Sequence, residues 1–369
     1  MKKNRKIIIS GGGTGGHIFP AIAIAREIIA RDPDTEILFV GAKGRMEMEK
    51  VPQAGFNITG LPVEGLQRRF TLRNVLVLVN LIRSLNKAKS ILKSFLPDAV
   101  VGVGGYASGP VVRMAAKQGI PVLIQEQNSY AGITNRILSR KASRICVAYE
   151  GMEKYFPSQK IVLTGNPVRE DIIQTESRKT EAMEYFGMKN DNPVVLVLGG
   201  SLGAKTINES IFRNIGLIES SAIRVIWQTG SLYFNDIQQK IQGKPLRNLI
   251  YMDFINRMDL AYAVADVIVS RAGAGTISEL CLVGKPVILV PSPNVAEDHQ
   301  TKNAMALVNK NAAIIVKDAE AFTQLIPAAF NLVNNNKLRT TLVKNCRKMA
   351  LKSAAARIVD ELYAILPER

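Results

Sequence analysis

Short, unbroken runs of apolar residues alternate along the chain with segments whose apolar positions recur at helical spacing. In the first half such runs occupy residues 6–10, 36–40, 99–103 and 121–124. A glycine-rich turn and an apolar-periodic helix over about residues 18–31 follow the first run. Unbroken apolar runs are typical of strands buried on both faces, and their alternation with helices predicts a parallel sheet covered on both sides.

The same order of elements starts again at residues 193–198, with further strands predicted at 224–228, 266–270 and 286–290. We therefore predict an α/β protein with two Rossmann-like, doubly wound parallel-sheet domains facing a central cleft. Gly165-Asn166-Pro167 interrupts regular structure, which places the boundary between the first domain, residues 1–166, and the second domain at this point. Residues 338–365 are predicted to form one or two helices. Ligands bind open sheets beyond the carboxyl ends of the strands, so each domain is expected to hold one substrate.

Composition narrows the choice of compartment and of chemistry. No apolar run approaches the roughly 20 residues that a membrane span needs, and the apolar run after the basic start ends at Gly11, so a cytoplasmic protein is expected. The three cysteines form no CxxC pair and are expected to be buried and reduced. Two histidines exclude a zinc site built from several histidines, and the cysteine spacing supports no Cys/His site. No bound metal or cofactor is expected.

The net charge of +17 is concentrated in the first half, where residues 1–165 carry 24 basic and 11 acidic side chains. Such a field favours an anionic partner, either nucleic acid or an acidic lipid surface. Aromatic residues are few and no nucleic-acid-binding signature is present, so the charge favours lipid.

Residues 65–94 combine basic side chains with an apolar run over residues 75–82. One interpretation is a core helix with a solvated basic face. The other is an interfacial element that touches anionic lipid. The candidate membrane contacts are Arg69, Arg73, Val75, Leu78, Ile82, Arg83 and Lys87.

Five glycines lie within residues 11–16, between a predicted strand and a predicted helix. Glycines there allow a tight turn and a close ligand approach, and the amides of the following helix attract phosphate. Dinucleotide binding is disfavoured because the second strand ends in Val40-Gly41-Ala42-Lys43, without the acidic residue that holds a ribose. His17 is either a helix-start residue with a satisfied ring, or a general base or diphosphate contact.

Three motifs of the second half also have two interpretations each. The run 198–203 is a plain turn or a phosphate cradle that includes Ser201, and it lacks the Walker lysine. Thr276 and Glu279 form a capping box, or Glu279 accepts hydrogen bonds from sugar or ribose hydroxyls. Gln300 and Asn303, one helical turn apart, begin a solvated helix or present amides to a sugar.

These motifs together resemble the MurG family of bacterial peptidoglycan glycosyltransferases. The resemblance runs nearly end to end, through GGGTGGH (11–17), GGYASGP (104–110), QEQNSYAGITN (125–135), TGNPVR (164–169), GGSLGAKTIN (199–208), SRAGAGTISE (270–279) and the Gln300/Asn303 turn. One such motif is weak, whereas seven in order are highly specific.

The resemblance implies a GT-B fold in which residues 346–369 pack back on the first domain. The first domain would bind the acceptor and face the membrane, and the second would hold UDP-N-acetylglucosamine. Arg169 and Ser201 would contact the diphosphate, and the backbone at Ile255 would contact the uracil. The residues implied to line the sugar and ribose are Ala274, Gly275, Thr276, Ile277, Ser278, Glu279 and Gln300, with Thr14, Gly15, Gly16, His17 and Asn128 contributed by the first domain.

The implied activity is inverting transfer of N-acetylglucosamine to the muramyl C4 hydroxyl of undecaprenyl-diphospho-muramoylpentapeptide, forming a β-(1→4) link in peptidoglycan synthesis. Such an enzyme would serve cell wall biogenesis, cell shape and division as a peripheral protein on the cytoplasmic face of the inner membrane, beside other cell-wall enzymes. The acceptor hydroxyl needs a general base, for which His17 is the first candidate and Glu126 the second. The alternatives are another GT-B enzyme, either a lipid glycosyltransferase or a UDP-N-acetylglucosamine epimerase, and a non-catalytic UDP-sugar-binding protein.

Overall fold

The computed structural model describes residues 4–63, 73–168 and 176–367, without the side chains of residues 73–76, 78, 176 and 296. The chain forms two compact units. The first extends to Val168 and resumes at Leu351, and the second comprises the residues between them. The sequence-based divisions at residues 166 and 345 lie slightly earlier in the chain.

The first unit is built on a parallel sheet that has seven strands in the described part of the chain, in the order β3-β2-β1-β4-β5-β6-β7. The central strand β1 pairs in parallel with both β2 and β4. The strands are β1 (Lys6–Ser10), β2 (Glu36–Ala42), β3 (Asn57–Leu61), β4 (Ala99–Gly102), β5 (Val122–Glu126), β6 (Arg144–Val147) and β7 (Ile161–Leu163). The helices between them are α1 (Gly15–Arg31), α2 (Glu47–Gln53), α3 (Arg73–Phe95), α4 (Ser108–Lys117) and α5 (Ile133–Leu138).

The second unit has six parallel strands among its described residues, in the order β10-β9-β8-β11-β12-β13. They are β8 (Val194–Leu198), β9 (Arg224–Gln228), β10 (Leu249–Met252), β11 (Val267–Ser270), β12 (Val287–Leu289) and β13 (Ile314–Ile315). The helices are α6 (Lys179–Tyr185), α7 (Lys205–Arg213), α8 (Ile215–Glu219), α9 (Phe234–Ile241), α10 (Met258–Val264), α11 (Ala274–Val283), α12 (His299–Val308), α13 (Ala321–Asn334) and α14 (Asn336–Lys348). Two doubly wound parallel sheets confirm the predicted fold class.

A last helix, α15 (Ala354–Ala364), follows the second unit in the chain but packs in the first. Helices α3, α4 and α5 cover one face of the first sheet, and α1, α2 and α15 cover the other. Ile358 and Leu362 of α15 are fully buried there, in the same cluster as Leu123 of β5 and Cys146 of β6. An ion pair between Arg144 Nε and Glu361 Oε2, at 3.1 Å, holds the helix at the edge of this cluster.

The helix α3 has one buried side and one exposed side. Val77, Ala88 and Leu92 are buried against the sheet, whereas 56% of Ile82 is exposed. None of the helices described here combines the length with the apolar character that a bilayer crossing requires. Of the candidate membrane contacts, Arg69 lies outside the described residues, as do the side chains of Arg73, Val75 and Leu78.

All three cysteines are buried and none is in a disulfide, as expected from their spacing. Burial raises the pKa of the Cys146 thiol to about 12, because the low-dielectric interior disfavours the thiolate.

Candidate functional site

Both glycine-rich loops follow the strand at which their sheet reverses direction. In the first unit the chain runs from β1 outward to β3, then returns to pair β4 with the other side of β1. In the second unit β8 and β11 have the same relationship. The carboxyl ends of such adjacent strands leave a crevice in which ligands of doubly wound sheets bind, so both loops lie where a site is expected.

The first loop is held by a buried carboxylate from the start of α2. Glu47 Oε2 accepts a hydrogen bond from Gly13 N at 3.0 Å, and its Oε1 accepts one from Ala42 N at 2.9 Å. The side chain is 1% exposed and occupies the space that a Cβ on Gly12 would fill, 2.1 Å from Oε1. Glu47 therefore joins the backbone of the glycine loop to the end of β2.

The loop after β4 packs directly against the first loop. A Cβ on Gly105, where φ is +80°, would lie 2.2 Å from Gly12 O, so no side chain fits between the two backbones. A Cβ on Gly104 would lie 3.0 Å from His17 Nε2 and 3.6 Å from Asn135 Nδ2. The absence of side chains at these glycines brings His17 next to the polar residues that follow β5.

His17 lies in the first turn of α1, and its ring is oriented by the glycine loop. Nδ1 is 3.1 Å from Gly12 O and 3.3 Å from Thr14 Oγ1. A carbonyl oxygen can only accept, so the contact with Gly12 assigns the ring proton to Nδ1 and the lone pair to Nε2. The neutral tautomer is then the one that a general base acting through Nε2 requires.

Glu126, the second candidate base, is 1% exposed and has donors on both oxygens. Oε1 accepts from the backbone and side-chain amides of Asn128, at 3.0 and 3.2 Å. Oε2 accepts from Gly132 N and Asn135 Nδ2, both at 2.9 Å. Four donors around one buried carboxylate hold the loop 127–132 in shape, and this geometry favours a positioning role for Glu126 over proton transfer.

The second unit repeats the close approach of two backbone loops. A Cβ on Gly203, where φ is +90°, would lie 2.2 Å from Thr229 O, and one on Gly230 would lie 2.0 Å from Gly203 N. Ser201 is exposed at the tip of the first of these loops, and its carbonyl accepts from Ser231 N at 3.1 Å. The loop after β8 is therefore fixed by the loop after β9, with Ser201 facing outward.

The helix α11 begins at Ala274, and the cap position is Gly273, whose backbone is extended. Thr276 lies within the first turn, so it is not the N-cap residue that a Thr276–Glu279 capping box requires. The capping-box interpretation is therefore wrong. Glu279 lies on the second turn of α11 and is half-buried. The backbone amides of the turn before it have no intrahelical acceptor, as in any helix.

Gln300 and Asn303 both brace the loop after β11. Gln300 Oε1 accepts from Ala272 N at 3.2 Å and from Ser292 N at 2.8 Å, which joins the loops after β11 and β12. Asn303 is 1% exposed, and its amide lies 3.5 Å from Ala272 O. The pair is therefore not the solvated helix start that one interpretation predicted.

The backbone at Ile255 lies in a loop fixed at both ends. Ile255 N donates to Gln228 Oε1 at 3.0 Å, at the end of β9. Arg257 donates to Asp259 at the start of α10, and this hydrogen bond lowers the pKa of the Asp259 carboxyl. Arg169, the other implied nucleotide contact, lies outside the described residues.

Sequence reasoning did not identify Glu47. Its neighbours in sequence form no motif, and its function depends on the pairing of β1 with β2, which brings Gly13 and Ala42 to the same carboxylate. The one available signal was an acidic residue at the start of a helix after the second strand. Among the described residues no group of three or more His, Cys, Asp or Glu side chains is arranged to hold a metal ion.

Comparison with known proteins identifies a family for both units. Residues 7–147 match the N-terminal domain of glycosyltransferase family 28, and residues 194–361 match its C-terminal domain. The UDP-N-acetylglucosamine--N-acetylmuramyl-(pentapeptide) pyrophosphoryl-undecaprenol N-acetylglucosamine transferase of Parabacteroides distasonis is 55% identical over 100% of both chains. The Bacteroides fragilis protein with the same name is 53% identical over 98% of this chain and 95% of its own. The crystal structure of Acinetobacter baumannii MurG has a TM-score of 0.80 and 29% identity, covering 98% of this chain and 100% of that one.

Replacing the buried carboxylate of Glu47 should disturb the loop that orients His17. We expect Glu47→Ala to lower kcat at least about tenfold with a smaller change in KM for the nucleotide sugar, because displacing the candidate base His17 affects the transition state more than binding. Glu47→Gln keeps the shape and one accepting oxygen, and should recover part of the rate. Glu49→Ala, an exposed carboxylate on the same helix, is the matched control. Equal losses for the Glu47→Ala and Glu49→Ala variants would contradict the assignment.

Proposed function

The chain belongs to glycosyltransferase family 28, and we infer that it transfers N-acetylglucosamine from UDP-N-acetylglucosamine to N-acetylmuramyl-(pentapeptide)-pyrophosphoryl-undecaprenol in peptidoglycan synthesis. The observation that carries this conclusion is 55% identity over the whole chain to a transferase of that name. An epimerase or a non-catalytic binding protein is disfavoured by the same observation, since both units match as one continuous chain.

We assign the donor to the second unit. The start of α11 supplies amides and the positive end of a helix dipole, both of which stabilise the diphosphate. The loop at residues 199–204 brings Ser201 to the same edge of the sheet, and the Ile255 carbonyl can accept from a uracil N–H. The acceptor then belongs to the first unit, whose glycine loops leave backbone amides and His17 at the corresponding edge.

We assign the general base to His17 Nε2. The muramyl C4 hydroxyl is too weak an acid to attack unaided near neutral pH. As Nε2 removes the hydroxyl proton, the oxygen attacks the anomeric carbon, and UDP leaves from the opposite side. One displacement of this kind inverts the configuration. The Gly12 carbonyl stabilises the imidazolium through Nδ1–H, and Glu126 holds the neighbouring loop.

His17→Ala should lower kcat by roughly 10²–10⁴ while donor affinity stays nearly constant. The measurement is transfer of labelled N-acetylglucosamine to a short-chain lipid-diphosphate muramoylpentapeptide, with UDP affinity determined by calorimetry. A loss confined to donor affinity would refute the base assignment and point to a diphosphate contact. Turnover of the donor without acceptor would instead indicate an epimerase or hydrolase.

Glu279→Ala should weaken UDP binding by about 1–3 kcal/mol, because a ribose hydroxyl loses a charged acceptor. Since Gly273 occupies the cap position, the melting temperature should be little changed. Glu279→Gln, which keeps the shape without the charge, should give an intermediate affinity. Normal UDP binding with reduced stability would show that Glu279 acts on the helix and not on the ligand.

We propose that the α3–α5 face of the first unit rests on the anionic inner leaflet. Val79, Leu81 and Ile82 of α3 are exposed beside Arg83, and Ile133 and Ile137 of α5 are 59% and 67% exposed. Arg136 and Arg140 line the same surface pocket as the two isoleucines of α5, and exposed isoleucines with basic neighbours match the composition of interfacial elements. Lys87, which the sequence suggested as a membrane contact, is not part of this proposal. Its ammonium donates to Gly60 O at 2.8 Å and so holds α3 to β3. Association with other cell-wall synthesis enzymes stays a prediction.

Ile82→Ser combined with Arg83→Glu should weaken binding to phosphatidylglycerol vesicles, because apolar contact and about 1 kcal/mol of headgroup attraction per basic residue are both lost. Turnover of a water-soluble, short-chain acceptor should be unchanged. Arg26→Glu, the same charge change on α1 at the other sheet face, is the control and should bind as the wild type does. Co-sedimentation that is insensitive to the double variant would show that this face does not contact lipid.

A further inference from the structure

The second unit has an open groove at the amino ends of its strands, away from the candidate donor site. Its volume is about 700 Å³. Asp266 and Pro286, which directly precede β11 and β12, line it together with one face of α14. The candidate donor residues follow these strands, so the length of the sheet separates the groove from them.

The groove is lined by five cationic side chains and one carboxylate. The cations are Lys285, Arg339, Lys344, Arg347 and Lys348, and the carboxylate is Asp266. Asp266 Oδ2 already accepts a hydrogen bond from Val194 N at 2.9 Å, so one carboxylate oxygen is bonded to the start of β8. Lys344, Arg347 and Lys348 lie three and four residues apart on one helix face, a spacing at which like charges destabilise a helix. A multivalent anion would remove this repulsion.

The Arg339 guanidinium, which lines the groove, is only weakly paired. Its Nε is buried and has no hydrogen-bond acceptor among the described residues. The contact of its Nη1 with Asp266 Oδ1 is long, at 3.9 Å, although the side chain is only 28% exposed. A buried Nε is out of reach of a solute, but the exposed part of the guanidinium, which Asp266 contacts only at 3.9 Å, can pair with an anion in the groove.

The negative end of α11 explains only part of this arrangement. Arg347 packs over Gly284, the C-cap of α11, where a Cβ would lie 2.6 Å from Arg347 Nε. Lys285 follows Gly284, so both cations lie near carbonyls that attract positive charge. The C-terminal end of α11 does not explain the other three cations of the groove, which are Arg339, Lys344 and Lys348.

We propose that this groove binds a phosphate-bearing anion with two or more charges. Guanidinium groups pair with phosphate oxygens bidentately, and lysines add charge without demanding geometry. The groove is within the range of about 300–1,000 Å³ that small-molecule sites occupy. A free polyphosphorylated solute and a lipid headgroup share this chemistry, and the test separates them.

The test uses the full chain and sodium tripolyphosphate as the probe, by calorimetry with UDP present in excess. Arg339→Gln and the double variant Lys344→Gln/Lys348→Gln should each lower tripolyphosphate affinity at least tenfold. Lys337→Gln/Lys189→Gln removes the same charge from the same unit outside the groove, and should change affinity less than twofold. UDP binding, measured separately, reports whether each variant is folded. If the wild-type protein did not bind UDP, that result would contradict the donor-site assignment and not the groove proposal.

A second arm uses vesicles of cardiolipin, whose headgroup carries two phosphates, with phosphatidylcholine vesicles as the neutral reference. Tripolyphosphate binding in solution identifies a soluble anion. Vesicle binding without tripolyphosphate binding, reduced by the groove variants and not by the control, identifies a headgroup. The proposal is overturned if neither probe binds, if the groove variants bind as the wild type does, or if the control loses as much affinity as they do.

Discussion

A parallel sheet buries side chains on both faces, and this requirement governs the architecture of the first unit. The crossovers that lead through β4, β5 and β6 place α4 and α5 on one face, beside α3. The opposite face of β5 and β6 therefore needs a helix from elsewhere, and α15 covers Leu123 and Cys146 there. The first unit is complete only because the chain returns to it from the second.

With its faces covered, each sheet has only its carboxyl edge left for a ligand, and at that edge much of the candidate site is backbone. The glycines after β1 and β4 let two loops meet without side chains between them, and those after β8 and β9 do the same. Buried polar side chains then hold these backbones. Glu47 and Glu126 each accept backbone amides, and Gln300 joins two loops through one oxygen. The geometry of the candidate site therefore depends on the buried side chains that hold these backbones in place.

The long apolar strands were predictable because burial on both faces leaves an unmistakable pattern. The strands β1 and β9 have the predicted bounds, and others differ by one or two residues at their ends. Strands β3, β6, β7, β10 and β13 were not predicted. Asn57, Thr59 and Gly60 interrupt the apolar pattern of β3, and β7 has only three residues. The glycine loops and His17 were visible as motifs. Glu47 and the contact between Lys87 and Gly60 were not, because each joins residues that only the folded sheet brings together.

The return of α15 also has a consequence for the order in which the protein is made. A ribosome synthesises the whole second unit before residues 354–364, so the nascent first unit waits with the apolar face of β5 and β6 uncovered. The second unit contains all its own strands by then and can fold first. Interruption of synthesis, or proteolysis in the short connection before α15, exposes Leu123 and Cys146 and gives chaperones and proteases a hydrophobic surface to recognise. A single helix thereby decides whether this apolar face of the first unit is covered.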